Sequence, residues 1–429
     1  MDRINVIGGN QLNGIIPISG AKNASLPLMI ASLLTSEALI LDNLPDLADV
    51  KILRLILESH GVEISNHKSD DDYNNYTSSM LFSCRNITNI TSSYDLVSKI
   101  RAGFWLIGPL LARKGHARIS FPGGCPIGLR PVNLFIDSLK SLGAIINIDG
   151  DYVDARVPSN GLVGTYYTFP RVSVGATQVM MMAASLANGD TYINNAACEP
   201  EVIDLANCLN AMGAKIFGIG SPTIKIEGVT SLSGARHKII PDRIEAGTYA
   251  LAVAMVGGDV VLQMTDISLL DTVFKVMRCS GVKIDPVDEG VRIRWNGDRL
   301  FPVDIATSPF PGFPTDLQAQ FMATMCCSNG ISHITETIFE NRFMHVQELS
   351  RLGARIFITG RTARVEGVSQ LRGAPVIATD LRASVSLVIA ALAAKGKTEI
   401  SRVYHLDRGF EDLEHKLSRC GALIERICI

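Results

Sequence analysis

Leu142-Gly143-Ala144-Ile145, Met212-Gly213-Ala214-Lys215-Ile216, Ser280-Gly281-Val282-Lys283-Ile284, Leu352-Gly353-Ala354-Arg355-Ile356 and Cys420-Gly421-Ala422-Leu423-Ile424 are versions of one phrase, and His60-Gly61-Val62-Glu63-Ile64 is a sixth. Each follows an amphipathic run and leads into a β-like stretch such as Arg355-Ile356-Phe357-Ile358. The glycine reads as a helix C-cap in the left-handed conformation, which a residue with a Cβ adopts only at a cost. The copies recur about every 70 residues, so each unit is a supersecondary motif longer than a solenoid repeat. Within a unit, a helix apolar on nearly all faces (Leu26–Leu34, Val179–Ala187, Ala250–Val256, Phe321–Cys327, Leu387–Ala394) alternates with the amphipathic one. All-round apolar helices are normally buried. With short strands between them and two strands after the glycine, the unit reads β-α-β-α-β-β, with right-handed parallel crossovers.

Six such units would make one very wide sheet, so three units per domain is the economical partition. A boundary near Arg236–Pro241 divides the glycines three and three. The first strand, Ile4–Val6, can pair with either half. The polar stretch Asn66–Ser93 lengthens the first interval and reads as a surface insertion.

Bulk composition narrows the function. Hydrophobic residues are 47% of 429, and the net charge of −2 gives no general affinity for nucleic acid or an anionic membrane. Any anion site must come from locally clustered cations. The start Met1-Asp2-Arg3-Ile4-Asn5 lacks the blocks of a signal peptide, and the longest apolar runs are too short to span a membrane. Nine cysteines without a C-x-x-C pair argue against a disulfide framework or a zinc ribbon. No His-x-x-x-His pair, P-loop or Gly-x-Gly-x-x-Gly fingerprint occurs. A chain of a reducing, cytoplasmic compartment is the expectation.

Three groups of residues have chemical potential. Phe121-Pro-Gly-Gly-Cys125-Pro-Ile-Gly-Leu-Arg130-Pro131 brings a thiol and a guanidinium into one glycine-rich loop. The cation favours thiolate and burial favours thiol, and a turn with an incidental cysteine is the plainer alternative. Ser19-Gly20-Ala21-Lys22-Asn23 stands at the entrance to an apolar helix, where an anion is favoured, although taken alone a cap with a solvated lysine is the plainer reading. Arg101, Asp316 and Arg382 lie at equivalent entrances, and an aspartate there can simply cap the helix. Finally, Arg342, Arg382 and Arg408 sit in Glu340–His345, Asp380–Ser384 and His405–Gly409. Each has an acidic neighbour that offers an ordinary salt bridge, but their recurrence at corresponding loops suggests a cationic site.

Taken together, Ser19–Asn23, Pro122–Pro131, Arg171–Thr177, Pro241–Glu245, Phe313–Gln320, Glu340–His345, Thr379–Ser384 and Tyr404–Gly409 resemble the UDP-N-acetylglucosamine enolpyruvyl transferases of the EPSP synthase superfamily. The likeness runs from the first residues to the last few, apart from Asn66–Ser93. It implies two inside-out α/β barrel domains of three repeats each, one of residues 1–21 with 241–429 and the other of 22–240, with an active cleft between them. It also implies transfer of enolpyruvyl from phosphoenolpyruvate to the 3′-hydroxyl of UDP-N-acetylglucosamine, the first committed step towards peptidoglycan. By resemblance Cys125 is the acid that protonates C3, can carry a covalent adduct and is the target of the epoxide fosfomycin, while Asp316 accepts the hydroxyl proton. Lys22, Asn23, Arg130, Arg342, Arg382 and Arg408 are the implied phosphoenolpyruvate ligands. Asn23, Arg101, Arg130, Pro131, Val132, Asn133, Leu134, Arg171, Val172, Ser173, Val174, Asp316 and Ile338 are those for the nucleotide sugar. Asn133 stands where many members have aspartate, and Arg171 where many have lysine, so altered affinity is expected. The expectation is a monomer acting on two small substrates, with no cofactor, metal, nucleic acid or membrane. An enolpyruvyl transferase for another acceptor, such as shikimate 3-phosphate, and a non-catalytic nucleotide-sugar-binding repeat protein are the alternatives.

Overall fold

The computed structural model describes residues 2–67, 78–123 and 131–428. They form two compact units, one from residues 2–19 and 241–428, the other from 20–123 and 131–240. The repeat is contiguous between Tyr166 and Glu227. Strand Tyr166–Thr168, helix Val174–Ala184, strand Asp190–Asn194 and helix Pro200–Ala211 come first, then strands Lys215–Phe217 and Thr223–Glu227. The first two strands are parallel, and the other two join antiparallel, with Thr223–Glu227 inside and Lys215–Phe217 at the edge. Six four-stranded sheets occur among the described residues, three in each unit. The β-α-β-α-β-β reading therefore holds.

The phrase that predicted the repeat has a local cause. All six glycines have φ between 92° and 108°. In each case the glycine N–H donates three residues back and the next N–H reaches five back, as in Gly143 to Lys140 (2.9 Å) and Ala144 to Leu139 (3.1 Å). This is the Schellman closure, which satisfies the last helical carbonyls. The hydrophobic pair that accompanies it is buried in every copy, as in Val62 on Leu57 and Val282 on Met277. A β-carbon at these glycines would carry the left-handed strain, so glycine recurs while its neighbours vary.

Two wrap-arounds complete the units. Arg3–Ile7 lies between Lys397–Ser401 and Leu423–Ile427, antiparallel to both, and Leu12–Pro17 runs parallel to Gly258–Gln263. The N-terminal strands, whose partner the sequence leaves open, thus belong with 241–428. In the other unit Ala235–Lys238 returns to lie parallel to Ala38–Asp42.

The stretch Asn66–Ser93 departs from the reading as a surface insertion. Met80–Ser83 is an interior strand between Ala38–Asp42 and Glu63–Asn66, with Phe82 fully buried, and Thr91–Ser92 is the first strand of the next repeat. The short Met80-Leu81-Phe82-Ser83 alternation is hidden in sequence by the polar run before it. Residues 68–77 lie outside the described residues.

Helices Lys22–Ala31, Val174–Ala184, Arg243–Val256, Gln318–Met325 and Leu381–Ala393 are buried along nearly their whole length. In the unit holding 241–428, the last three pack on one another, and strands of its sheets alternate buried and exposed residues. Along the chain Val174–Ala184, Gln318–Met325 and Leu381–Ala393 follow the first strand of their own sheets, whereas Lys22–Ala31 follows Leu12–Pro17 and Arg243–Val256 follows Ala235–Lys238, each a strand of the other unit.

Candidate functional site

The starts of the inner helices carry several of the residues singled out above. In the unit with 241–428, Asp316 lies in the 3₁₀ turn Thr315–Leu317 that enters Gln318–Met325. The N-cap residues of the two segments, Pro314 and Leu317, make no side-chain cap bond, while the Asp316 carboxylate meets two guanidiniums. Its Oδ1 accepts from Arg342 Nη2 at 2.7 Å and its Oδ2 from Arg382 Nη2 at 2.9 Å. Both guanidinium side chains are nearly sealed from water, at 7% and 6% exposure, while the aspartate side chain keeps 26%. Burial pushes the Asp316 carboxyl up, but the Arg382 and Arg342 charges outweigh it and hold the group well below the usual carboxylate range.

The neighbouring acids do not take these arginines. Asp380 is the N-cap of Leu381–Ala393 and accepts from the N–H groups of Arg382 and Ala383. Glu340 faces Arg361 at 3.8 Å, and Asp407 binds Arg426. Arg408 ends the turn Val403–Arg408, which packs against Leu381–Ala393, and the Arg382 guanidinium lies 6.0 Å from the centre of the Phe410 ring. Ile338 is half-buried, in the turn that leads to Arg342. His345, beside this cluster, is pushed down to about 4 by burial, opposed by Asp380 and helped by Arg342. It is neutral at physiological pH. Thr315, Thr307 and the buried Glu336 also join the cluster, and the sequence reading did not select them.

In the other unit Lys22 opens the helix Lys22–Ala31 and is buried, with Nζ 2.8 Å from Asp49 of the helix Ala48–Ser59. It is not a solvated surface lysine. Asn23 beside it is half-buried, and Arg101 starts the 3₁₀ helix Arg101–Leu106. Val132 and Leu134 are buried while Pro131 and Asn133 are exposed at the entry to helix Asn133–Ser141. Pro131 precedes that helix's N-cap, Val132, instead of lying in its first turn. Arg171 is exposed, Val172 and Val174 are half-buried, and Ser173 caps Val174–Ala184 by accepting from Ala176 N–H at 3.4 Å.

Gly175 brings three of these elements together. A β-carbon on it would stand 2.9 Å from Trp105 Nε1 and 3.0 Å from Phe135 Cζ, and Phe104 and Phe135 meet edge-on at 5.6 Å. The segments containing Arg101, Pro131–Leu134 and Arg171–Val174 therefore share one neighbourhood. Cys125 and Arg130 lie outside the described residues.

The EPSP synthase (3-phosphoshikimate 1-carboxyvinyltransferase) family matches residues 6–417, and the chain belongs to it. Relatives from Rhizobium johnstonii and Rhizobium etli, both named UDP-N-acetylglucosamine 1-carboxyvinyltransferase, are 66% and 67% identical over 428 residues, covering 100% of this chain and of theirs. Among solved structures, the enolpyruvyl transferase NikO from Streptomyces tendae superposes with a TM-score of 0.84 at 24% identity, covering 99% of this chain and 98% of that one. The EPSP synthase from Acinetobacter baumannii gives 0.75 at 18% identity over the whole of both chains. At those identities the likeness is one of fold.

Proposed function

We propose that this protein is a transferase that moves the enolpyruvyl group of phosphoenolpyruvate to the 3′-hydroxyl of UDP-N-acetylglucosamine, releasing phosphate. The product would be the first committed precursor of peptidoglycan, made in the cytoplasm by a monomer. The observation that carries the reading is two-thirds identity, end to end, to relatives bearing that enzyme's name. The chemistry of the described residues agrees with it.

Both substrates are polyanions, and phosphoenolpyruvate needs several cations for its phosphate and carboxylate. Arg342, Arg382, Arg408, Lys22, Arg130 and Asn23 are assigned to it by resemblance, and the first three lie close together around Asp316 and helix Leu381–Ala393. The inner helix starts add partial positive charge, which favours phosphate. Arg101, Arg130, Pro131–Leu134 and Arg171–Val174 hold the nucleotide sugar, and Ile338 lines the sugar pocket.

In the reaction Cys125 delivers its proton to C3 of phosphoenolpyruvate, and the electron-poor C2 takes the 3′-oxygen as that hydroxyl's proton passes to Asp316. The tetrahedral adduct then loses a C3 proton and expels phosphate by C–O cleavage. A carboxylate clamped by two guanidiniums is a weak base, whereas a general base works best with a pKa near the operating pH. Phosphoenolpyruvate competes for the same two arginines. Its arrival would exchange one anion for another and raise the basicity of Asp316 when the hydroxyl must be deprotonated.

Phosphate release from phosphoenolpyruvate tests the assignment, with UDP-N-acetylglucosamine and shikimate 3-phosphate offered in turn. Release with the first alone is expected. Release with shikimate 3-phosphate alone would move the protein to the other branch of its family, and release with neither would leave a binding protein.

A further inference from the structure

Glu336 is a buried carboxylate that the reaction above leaves unused. It follows the strand Ile331–Thr335, is 1% exposed, and accepts four hydrogen bonds. Thr307 Oγ1 donates to Oε1 at 3.0 Å, the N–H groups of Ile338 and Phe339 donate to the same oxygen at 2.8 and 3.1 Å, and Thr315 Oγ1 donates to Oε2 at 2.8 Å. A carboxylate withdrawn from water requires such donors.

The direction of the last bond matters. A threonine hydroxyl has one hydrogen. With that hydrogen committed to Glu336, Thr315 presents only lone pairs to Arg342, whose Nη1 donates to it at 2.8 Å while Nη2 donates to Asp316. The acceptor character of Glu336 is thus passed through one hydroxyl to a site cation. The same carboxylate shapes the turn carrying Ile338, and Phe339 in that turn lies with its ring centre 5.2 Å from the Arg342 guanidinium.

We propose that Glu336 is a positioning residue for the phosphoenolpyruvate site: it makes Thr315 a fixed acceptor for Arg342 and sets the turn from Ile338 to Arg342. The proposal rests on the function proposed above. Glu336→Gln keeps the size and one carbonyl oxygen, but an amide N–H₂ facing Thr315 would turn that hydroxyl's hydrogen towards the Arg342 donor.

The expected result is a rise of about tenfold in KM for phosphoenolpyruvate, with KM for UDP-N-acetylglucosamine within about twofold of wild type. Thr315→Val, which lacks the acceptor, should give the same pattern, and Thr315→Ser should recover the affinity lost in the Val variant. Because the two residues act in series, the double variant Glu336→Gln/Thr315→Val should be no worse than Thr315→Val alone. Equal rises in both KM values, or single effects that multiply in the double variant, would overturn the proposal. Calorimetric titration with phosphoenolpyruvate gives the same comparison without turnover. Wild type that binds it while every variant binds equally well refutes the role of Glu336 alone, and wild type that does not bind it refutes the function and the inference together.

Discussion

The helices Gln318–Met325 and Val174–Ala184 hold the same place in their repeats, yet their starts are built for different work. Before the first, the N-cap residues Pro314 and Leu317 make no side-chain cap bond and Asp316 lies between two arginines that water barely reaches. Before the second, Ser173 caps the helix in the ordinary way and Arg171 is exposed. The repeat fixes where a helix begins and which end faces its neighbours. The side chains at that start decide the chemistry. A nearly buried charge cluster is costly unless fully paired, so its members depend on each other. An exposed arginine beside a cap can meet a ligand without such dependence.

The largest difference should appear on removing the central charge of the first start. Asp316→Asn takes away the proposed proton acceptor and puts a neutral amide between Arg342 and Arg382, with Arg342 keeping its bond to Thr315. Turnover should fall by about 10²–10⁴-fold, and unfolding by urea should show a loss of about 3 kcal/mol. An active, equally stable variant would mean that the cluster is an ordinary salt bridge.

The pH dependence sharpens the same contrast. The folded-state pKa of Asp316 is depressed, so its contribution is present above the unfolded value and is lost as pH falls towards the folded one. The stability gap between wild type and Asp316→Asn should therefore hold from neutrality to about pH 4 and shrink below it. A gap that narrows already near pH 6 would contradict the arginine clamp.

The smallest effect belongs to the second start. Ser173→Ala removes a cap worth about 1 kcal/mol, and by its assigned role should weaken UDP-N-acetylglucosamine binding while leaving turnover at saturation near wild type. A large fall in kcat there would erase the distinction between the two helix starts.

Much of this architecture was legible because its signal is local. A glycine with φ near 100° closing a helix leaves the same mark wherever it occurs, and six marks count six sheets. The helix starts were legible for a related reason, since Lys22, Arg101, Asp316 and Arg382 each precede or open an apolar run. Pairing was not legible. The plain expectation gave Arg382 to Asp380 and Arg408 to Asp407, but Asp380 caps its own helix and Asp407 binds Arg426. The partner of both Arg342 and Arg382 is Asp316, 26 and 66 residues away. Lys22 finds Asp49 in the same way, across two helices. Met80–Ser83 was missed because four residues of alternation carry little weight beside a long polar run. Glu336 was passed over because its importance comes from being buried against two threonines, which no local pattern announces.

The most direct test follows one oxygen atom. UDP-N-acetylglucosamine labelled with ¹⁸O at the 3′-hydroxyl is incubated with the protein and phosphoenolpyruvate, and the products are resolved by mass spectrometry. Attack of that hydroxyl on C2 predicts that the label stays in an enolpyruvyl ether of the nucleotide sugar and that the released phosphate carries none. A phosphorylated nucleotide sugar with free pyruvate would mean attack at phosphorus and would contradict the account.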